Sequence, residues 1–490
     1  RDSNDHAITI CGMENIDPVG VHTGDSMVVA PILTLSKEDE NMLKTSALKL
    51  IKELKIEGGC NVQFAKHPET SEYYLIEVNP RVSRSSALAS KASGFPIAKV
   101  TAKIAVGMTL DEIEVSGAPA SREPRLDYIV AKLPRFPFDK FTSVPNKLGT
   151  QMKATGEVMG IGSNLEEAIL KSVRSLEIGV CHLHMAKFDH MTDEEILEYI
   201  AEFRDDNAFA ICELLRRGHD VEKIHNITKI TSYFLESFKK ITDLEKEISK
   251  NGADKNTLLR AKEMGFSDKY IAKLLGKDEL SVWEMRKDFG ITPAFRMVDT
   301  AHAGAYIPYF YSSYTGDDQV RLLDRKKILV LGAGPIRIGQ GVEFDYSTVH
   351  AVNTIKSCGY EAIIINNNNE ILVCRRAKEP AKDTLDLPGG FTDIGETAEN
   401  GVIREVKEET GLDVTKVSFL FSKPNIYPFS GMIVNTMDLF FLCKVNSTEG
   451  LIANDDVAET RFIAIKDLSP EDFGLRSIRE AVSELKNMKF

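Results

Sequence analysis

The 490-residue chain lacks any apolar run close to the roughly 20 residues that a helix needs to cross a bilayer, which excludes a helical membrane anchor within it. Basic charge is also short: 61 Lys and Arg stand against 73 Asp and Glu, a formal net charge of −12. Binders of nucleic acid or of anionic lipid need basic patches to displace counterions or meet head groups, so neither partner is expected. Acidic proteins instead tend to hold cations. Cysteines are few and scattered, at positions 11, 60, 181, 212, 358, 374 and 443, an odd number with no C-x-x-C spacing. That argues against a disulfide framework and for free thiols in a reducing compartment, hence a cytoplasmic location. An initiator Met is missing too. The chain opens at Arg1 in mid-pattern, just before a strand-like run from Ala7 to Cys11, so the true N-terminus is expected upstream and targeting is not readable.

What is present is ordinary globular material, 43% hydrophobic and 27% charged, in a length that suits about three domains. From Ala7 to about Ile161, short apolar runs such as Tyr74-Leu75-Ile76 and Tyr128-Ile129-Val130 alternate with helical patterns such as Glu38 to Leu54, an α/β or α+β reading. From Asn164 to about Ile291 the strands stop and amphipathic helices follow one another. One opens with Thr192 three residues before Glu195, a capping box, and Gly218, Gly252, Gly265, Gly276 and Gly290 punctuate the rest. The polar segment Tyr311 to Arg325 reads as a linker. A single βαβ-like unit, Ile328 to Ile365, comes next, and a last segment runs to Phe490.

That last segment carries a specific pattern. Gly390-Phe391-Thr392-Asp393-Ile394-Gly395-Glu396 continues through Arg404-Glu405-Val406-Lys407-Glu408-Glu409-Thr410-Gly411-Leu412. Ala398 to Thr410 reads as a helix, and residues three and four apart on a helix are surface neighbours, so Glu405, Glu408 and Glu409 gather on one side. Hard carboxylate oxygens suit magnesium, and like charges at that density repel unless a cation or Arg404 compensates them. A glutamate-rich helix is ordinarily a solvated face. Here a strand (Ile371 to Cys374), the loop Leu387-Pro388-Gly389-Gly390 and the closing Gly411 frame it as loop, helix, loop.

The string matches G-x₅-E-x₇-R-E-U-x-E-E-x-G-U at every fixed position and resembles the Nudix hydrolase family over some 125 residues. The tail Asp455-Asp456-Val457-Ala458-Glu459-Thr460-Arg461-Phe462 and a final helix from Ser477 are included. The resemblance implies magnesium-dependent (or manganese-dependent) cleavage of the pyrophosphate bond in a nucleoside diphosphate linked to another small moiety. It further implies metal on Glu405, Glu408 and Glu409, a share in base catalysis for Glu408 or Glu409, and loop orientation by Arg404 and Glu396.

Earlier strings point elsewhere. On a strand, residues two apart face the same way, so Glu77, Asn79 and Arg81 are expected to point together, with Gln63 alongside through a hairpin at His67-Pro68-Glu69. Two oxygen-bearing neighbours and a carboxylate can hold a metal ion, with Arg81 on a phosphate. Glu14-Asn15-Ile16-Asp17, Val21-His22-Thr23-Gly24-Asp25-Ser26, Asn61-Val62-Gln63-Phe64 and Ile76 through Ser86 resemble the C-terminal half of the first ATP-grasp domain of the carbamoyl phosphate synthase large subunit. That implies magnesium on Gln63, Glu77 and Asn79 and ATP contacts from His22, Thr23 and Arg81. The half that covers the phosphates would precede Arg1, so this chain is expected to make no carbamoyl phosphate.

The helices after Asn164 resemble that family's oligomerisation domain, which implies self-association or synthase-like partners. Ser267 to Gly276 followed by Ser281 to Arg286 has a helix-turn-helix rhythm, but Glu279, Glu284 and Asp288 make the second helix unsuited to DNA. Cys181, His182, His184 and His190 fit no tetrahedral zinc spacing. Gly332-Ala333-Gly334-Pro335-Ile336-Arg337-Ile338-Gly339-Gln340-Gly341 follows the strand Ile328 to Leu331, but the next strand ends in Asn366 rather than an acid that would grip a ribose, so NAD is not expected. This string resembles the pre-ATP-grasp domain, cut after one βαβ step.

The expected architecture is therefore multidomain α/β and α. It comprises a partial ATP-grasp domain (1–163), an all-α oligomerisation-type domain (164–318), a truncated pre-ATP-grasp unit (319–364) and a Nudix α/β/α sandwich (365–490). Both families share a short run at Ile363 to Asn368, so the chain reads as a chimera joined within Asn366 to Asn369, by sequence misassembly or by a genuine fusion. Ala362 to Ile365 would then serve as the first Nudix strand.

Overall fold

A computed structural model describes residues 1–138, 140–141, 143–321, 360–364, 370–391, 396–429, 432–448, 450–455 and 457–488. The described residues form two compact units, one ending at residue 321 and one beginning at residue 360. The strand expected at Ile328 to Leu331, the glycine loop Gly332 to Gly341 and the junction Asn366 to Asn369 lie outside the described residues. Among the described residues no helix is long and apolar enough to cross a membrane.

The first unit is organised by an antiparallel sheet in which Glu14–Asn15, β1 (Val28–Ala30), β2 (Ile129–Arg135) and β3 (Gly156–Gly162) lie side by side. Helix α1 (Leu165–Ser175) packs directly on β3 because the strand presents glycines to it. A Cβ at Gly160 would lie 2.3 Å from the Ala168 carbonyl oxygen, and one at Gly162 would lie 2.7 Å from the Ala168 nitrogen. The Ser172 hydroxyl then reaches across to donate to the Ala131 carbonyl at 2.8 Å. One hydrophobic core runs from Val29, Ala131 and Leu133 through Ile169 and Val173 to Phe234, Phe238 and Ile271 of the helices beyond, which follow one another without a strand as far as Asp288. The capping box is present: the Thr192 side chain accepts from Glu195 N while Glu195 accepts from Thr192 N.

Two expectations in this unit need correction. Ala7 to Cys11 forms no strand. The polar run from Tyr311 is not a linker at its start: Phe310–Ser313 pairs antiparallel with Ala294–Met297 and buries Tyr311 and Ser313. Tyr311 packs on Tyr128 with ring centroids 5.5 Å apart, an aromatic contact that a polar composition count does not reveal.

In the second unit, β4 (Tyr360–Ile364), β5 (Glu370–Arg376), β6 (Gly389–Gly390), α2 (Ala398–Thr410), β7 (Val414–Phe429), β8 (Met432–Val445), β9 (Val457–Ala464) and α3 (Arg476–Leu485) make two sheets between two helices. One sheet has the order β6, β4, β8, β7, with β4 and β8 parallel; the other places β5 between Leu385–Asp386 and β9. Alternation along the strands supplies both cores. Leu372, Phe441 and Cys443 pack with Val402 and Val406 of α2, while Ile371, Val373 and Phe440 pack with Ile478, Ala481, Val482 and Leu485 of α3. The result is the expected α/β/α sandwich, and β4, drawn from the run at Ala362, is one of its strands.

Candidate active site

Helix α2 spans the residues that its spacing predicts. The Thr397 side chain accepts from Asn400 N at 3.1 Å, and Gly411 closes the helix at a φ of 75°. Arg404 gathers the acidic side chains: Nη1 donates to Glu405 Oε1 and to Glu408 Oε2, each at 2.9 Å, while Nε and Nη2 grip both oxygens of Glu396 at 3.1 and 3.0 Å. Nη2 also donates to the Phe391 carbonyl at 3.0 Å, tying the loop after β6 to the helix.

Glu409 is buried and turned to the backbone, accepting from Gly389 N at 3.1 Å. Burial pushes its carboxyl up to about 8, and the negative charges of Glu405 and Asp386 add to that, against the opposing Gly389 N–H and Arg376. Glu405 is raised as well, by burial first and then by Glu408 and Asp455, against Arg404. Gly390 makes room for it: a Cβ there would lie 2.5 Å from Glu405 Cδ.

The three carboxylates do not share one point as the helical spacing alone suggested. Glu405 and Glu408 meet at the guanidinium while Glu409 turns to Gly389, and among the described residues no group of three or more His, Cys, Asp or Glu side chains is arranged to hold a metal. The physical reason is mutual repulsion, relieved here by Arg404. The donor set nevertheless suits a hard divalent ion: carboxylates alone, two of them with raised proton affinity, beside a glycine that leaves space.

Asp455 was given no role by sequence reasoning. It stands in the loop before β9, whose backbone is pinned to the end of α2 by bonds from Ile452 N to Thr410 O and from Asn454 N to Glu409 O, both 3.0 Å. The available signal was the acidic pair preceding the last strand. Asp393 and Gly395 of the glycine-framed string lie outside the described residues.

In the first unit, the hairpin Asn61–Lys66 and Tyr73–Asn79 sets Gln63 opposite Glu77 and Asn61 opposite Asn79. Gln63 Nε2 donates to Glu77 Oε1 at 3.2 Å, Asn79 donates to the same oxygen, and the Thr23 hydroxyl donates to Gln63 Oε1 at 3.0 Å. Buried Lys132 holds the Thr23 loop by donating to the carbonyls of Thr23, Gly24 and Ser26 at 2.9–3.2 Å. His22 is exposed, its Nδ1 accepting from Gly24 N. Arg81 departs from expectation: the strand ends at Asn79, and a 2.9 Å bond from Arg81 N to Asn79 O turns the chain after Pro80, so strand alternation does not carry to Arg81. His182 and His184 bond to Glu245 and Asp189, each at 2.9 Å, rather than to a common centre.

The second unit thus has an α/β/α sandwich and a carboxylate-rich helix framed by glycines, and a family model described as the NUDIX domain matches residues 360–484. Three further models match the remainder. They are the carbamoyl-phosphate synthase L chain ATP binding domain at 1–113, the carbamoyl-phosphate synthetase large chain oligomerisation domain at 157–290, and the carbamoyl phosphate synthase preATP-grasp domain at 324–379. The chain joins domains of the carbamoyl-phosphate synthase large chain to a C-terminal NUDIX hydrolase domain, and the last two matches overlap over residues 360–379.

Similar solved structures include a MutT NUDIX hydrolase from Burkholderia pseudomallei, at 23% identity over 26% of this chain and 95% of that one, TM-score 0.23. Another is a bifunctional NMN adenylyltransferase/ADP ribose pyrophosphatase from Francisella tularensis, at 24% over 30% and 45%, TM-score 0.23. A third is the NUDIX domain of Shewanella oneidensis NrtR complexed with ADP ribose, at 17% over 27% and 86%, TM-score 0.23.

Proposed function

We propose that the second unit hydrolyses the pyrophosphate bond of a nucleoside diphosphate derivative, with magnesium or manganese held by Glu405, Glu408 and Glu409. The observation that carries this reading is the crowding of carboxylates beside Gly390, where Glu405 and Glu409 both hold protons more tightly than isolated acids do. Such crowding is relieved by a divalent ion. When bound, the ion neutralises charge building on the phosphoryl oxygens and lowers the proton affinity of an attacking water.

The chain's own groups do the rest. Glu408, the more exposed of the Arg404-bound pair at 47% against 13% for Glu405, or Glu409 takes the proton that the water loses. Arg404 keeps Glu396 and the Phe391 carbonyl in place, so the loop stays against the helix. With ADP-ribose the phosphorus gains the water oxygen, the bridging P–O bond breaks, and AMP and ribose 5-phosphate leave. Release of AMP from ADP-ribose by the full chain should require magnesium and fall by orders of magnitude in Glu408→Gln; equal rates in both proteins would sink the reading.

A second reading concerns the first unit, favoured by the Thr23, Gln63, Glu77 and Asn79 network. Glu77 with Gln63 and Asn79 would hold the metal of bound ATP, with His22, Thr23 and Arg81 near its phosphates. Titration of magnesium-ATP against the full chain and Glu77→Ala tests it, since unchanged affinity would exclude that role.

A further inference from the structure

Between Asp386 and Gly389 the chain crosses from one sheet of the second unit to the other. Leu385 and Asp386 pair with Arg375 and Cys374 of β5, whereas Gly389 and Gly390 pair with Glu361 and Tyr360 of β4, so Leu387 and Pro388 alone span the gap. The first residue after the gap, Gly389, is the one whose N–H meets Glu409 at 3.1 Å. The last residue before it, Asp386, is buried: its Oδ1 accepts from Leu387 N at 2.9 Å and its Oδ2 accepts from Arg376 Nη1. Arg376 is held in turn, Nε donating to Pro380 O at 2.7 Å and Nη2 to the Tyr427 hydroxyl at 3.5 Å. Its backbone closes the 377–383 loop, with Arg376 N to Thr384 O and Asp383 N to Arg376 O both at 3.0 Å.

A buried Arg–Asp pair adds little net stability, because taking two charges out of water costs about as much as their attraction supplies. What such a pair does supply is direction: a guanidinium fixes the carboxyl group, and that group fixes where the next N–H points. Pro388 narrows the choice further, since a proline has no N–H to bond elsewhere and a φ confined to about −65°. We propose that Arg376 and Asp386 are positioning residues of the metal site, their pair setting the Leu387-Pro388 crossover so that the Gly389 N–H holds the Glu409 carboxylate in place for the ion. This rests on the hydrolase reading and extends it to two side chains that precede the glycine-framed string.

The test uses the full chain carrying Arg376→Met and Asp386→Leu together, which puts apolar side chains where the pair stood, a replacement that buried pairs commonly tolerate. Manganese affinity, read by electron paramagnetic resonance, should fall by on the order of 10- to 100-fold, the usual effect of removing a ligand's support. Turnover of ADP-ribose should fall with it while KM changes little, and circular dichroism should show an intact fold. Arg376→Lys, which keeps a cation on Asp386, should recover most of the affinity. If the double variant does not fold, Arg376→Met alone decides by the same readout. Unchanged manganese affinity in the folded variant, or a loss that Arg376→Lys shares in full, overturns the proposal. If the unaltered chain cleaves no ADP-ribose while manganese affinity still depends on the pair, the hydrolase reading fails and the positioning role stands.

Discussion

The Glu405 carboxylate occupies the space that a side chain on residue 390 would fill: a Cβ on Gly390 would lie 2.5 Å from Glu405 Cδ and from Oε1. Gly390→Ala should therefore displace that carboxylate without disturbing the core, because Gly390 packs in neither hydrophobic cluster. Metal affinity should fall on the order of 10- to 100-fold, the usual cost of misplacing a ligand's support, and turnover should fall with it. Manganese titration followed by electron paramagnetic resonance reads this directly. Full metal affinity in Gly390→Ala would show that Glu405 is not a ligand.

Glu409 supplies a pH-dependent counterpart. Burial raises its folded carboxyl to about 8 from the ordinary 4.5, so without metal the folded unit binds a proton that the unfolded chain releases. Stability is then complete below about pH 4.5 and is lost as pH rises through about 8, by an amount on the order of a few kcal/mol. Magnesium, which needs the carboxylate, should stabilise more at pH 8.5 than at pH 6. Glu409→Gln should flatten the metal-free profile. Differential scanning fluorimetry at both pH values, with and without magnesium, checks it, and a magnesium shift that does not change with pH would refute the assignment.

Helix α2 was legible in sequence because its determinants are local: the Thr397 cap, the 3.6-residue spacing of Val402 and Val406, and Gly411 at positive φ. The convergence of Glu405 and Glu408 followed from the same spacing. The turning of Glu409 to Gly389 did not, since that partner comes from another strand. Asp455 was illegible for a similar reason: its loop is brought to the end of α2 by the backbone bonds of Ile452 and Asn454, which no local pattern announces. The placement of Arg81 was not legible from strand alternation, because the ladder stops at Asn79. Tyr311 was misread because a strand's burial depends on its partner, here Ala294–Met297.

In the first unit, Gly160 sets how closely α1 approaches β3. A Cβ there would meet backbone atoms, Ala168 O at 2.3 Å and Ser172 N at 2.8 Å, which cannot rotate away as a side chain could. Gly160→Ala should push the helix off the sheet at the centre of the continuous core, costing about 3 kcal/mol or more. Chemical denaturation followed by circular dichroism should show an earlier transition for this unit. A change below about 0.5 kcal/mol, typical of surface sites, would mean that the close approach is not required.

His182 makes the stability of the same unit depend on acid. Its ring is buried, stacked on Tyr270 with centroids 3.7 Å apart, and its Nε2 lies 2.9 Å from Glu245 Oε1. Arg216 already neutralises Glu245, donating from Nε and Nη2 at 2.5 and 3.0 Å, and among the described residues His182 Nδ1 has no partner. Burial therefore holds the imidazole neutral, down to about 4 from 6.5, even though Glu245 favours the charged form. Burial alone would raise Glu245, but its bonds to His182 and Arg216 outweigh that and bring it to about 2. Both shifts are depressions, so both stabilise at higher pH. The His182 contribution is complete above about 6.5 and is lost as pH falls to about 4; that of Glu245 is lost from about 4.5 downward. Between pH 6.5 and 4.5 the unit should lose up to about 1.4 kcal/mol per pH unit through His182 alone. His182→Phe, which keeps a ring against Tyr270 and leaves Glu245 to Arg216, should flatten that window. Urea denaturation followed by Trp283, the chain's single tryptophan and a residue of this unit, isolates the transition from that of the other unit. Parallel pH profiles for the two proteins would place the acid sensitivity elsewhere.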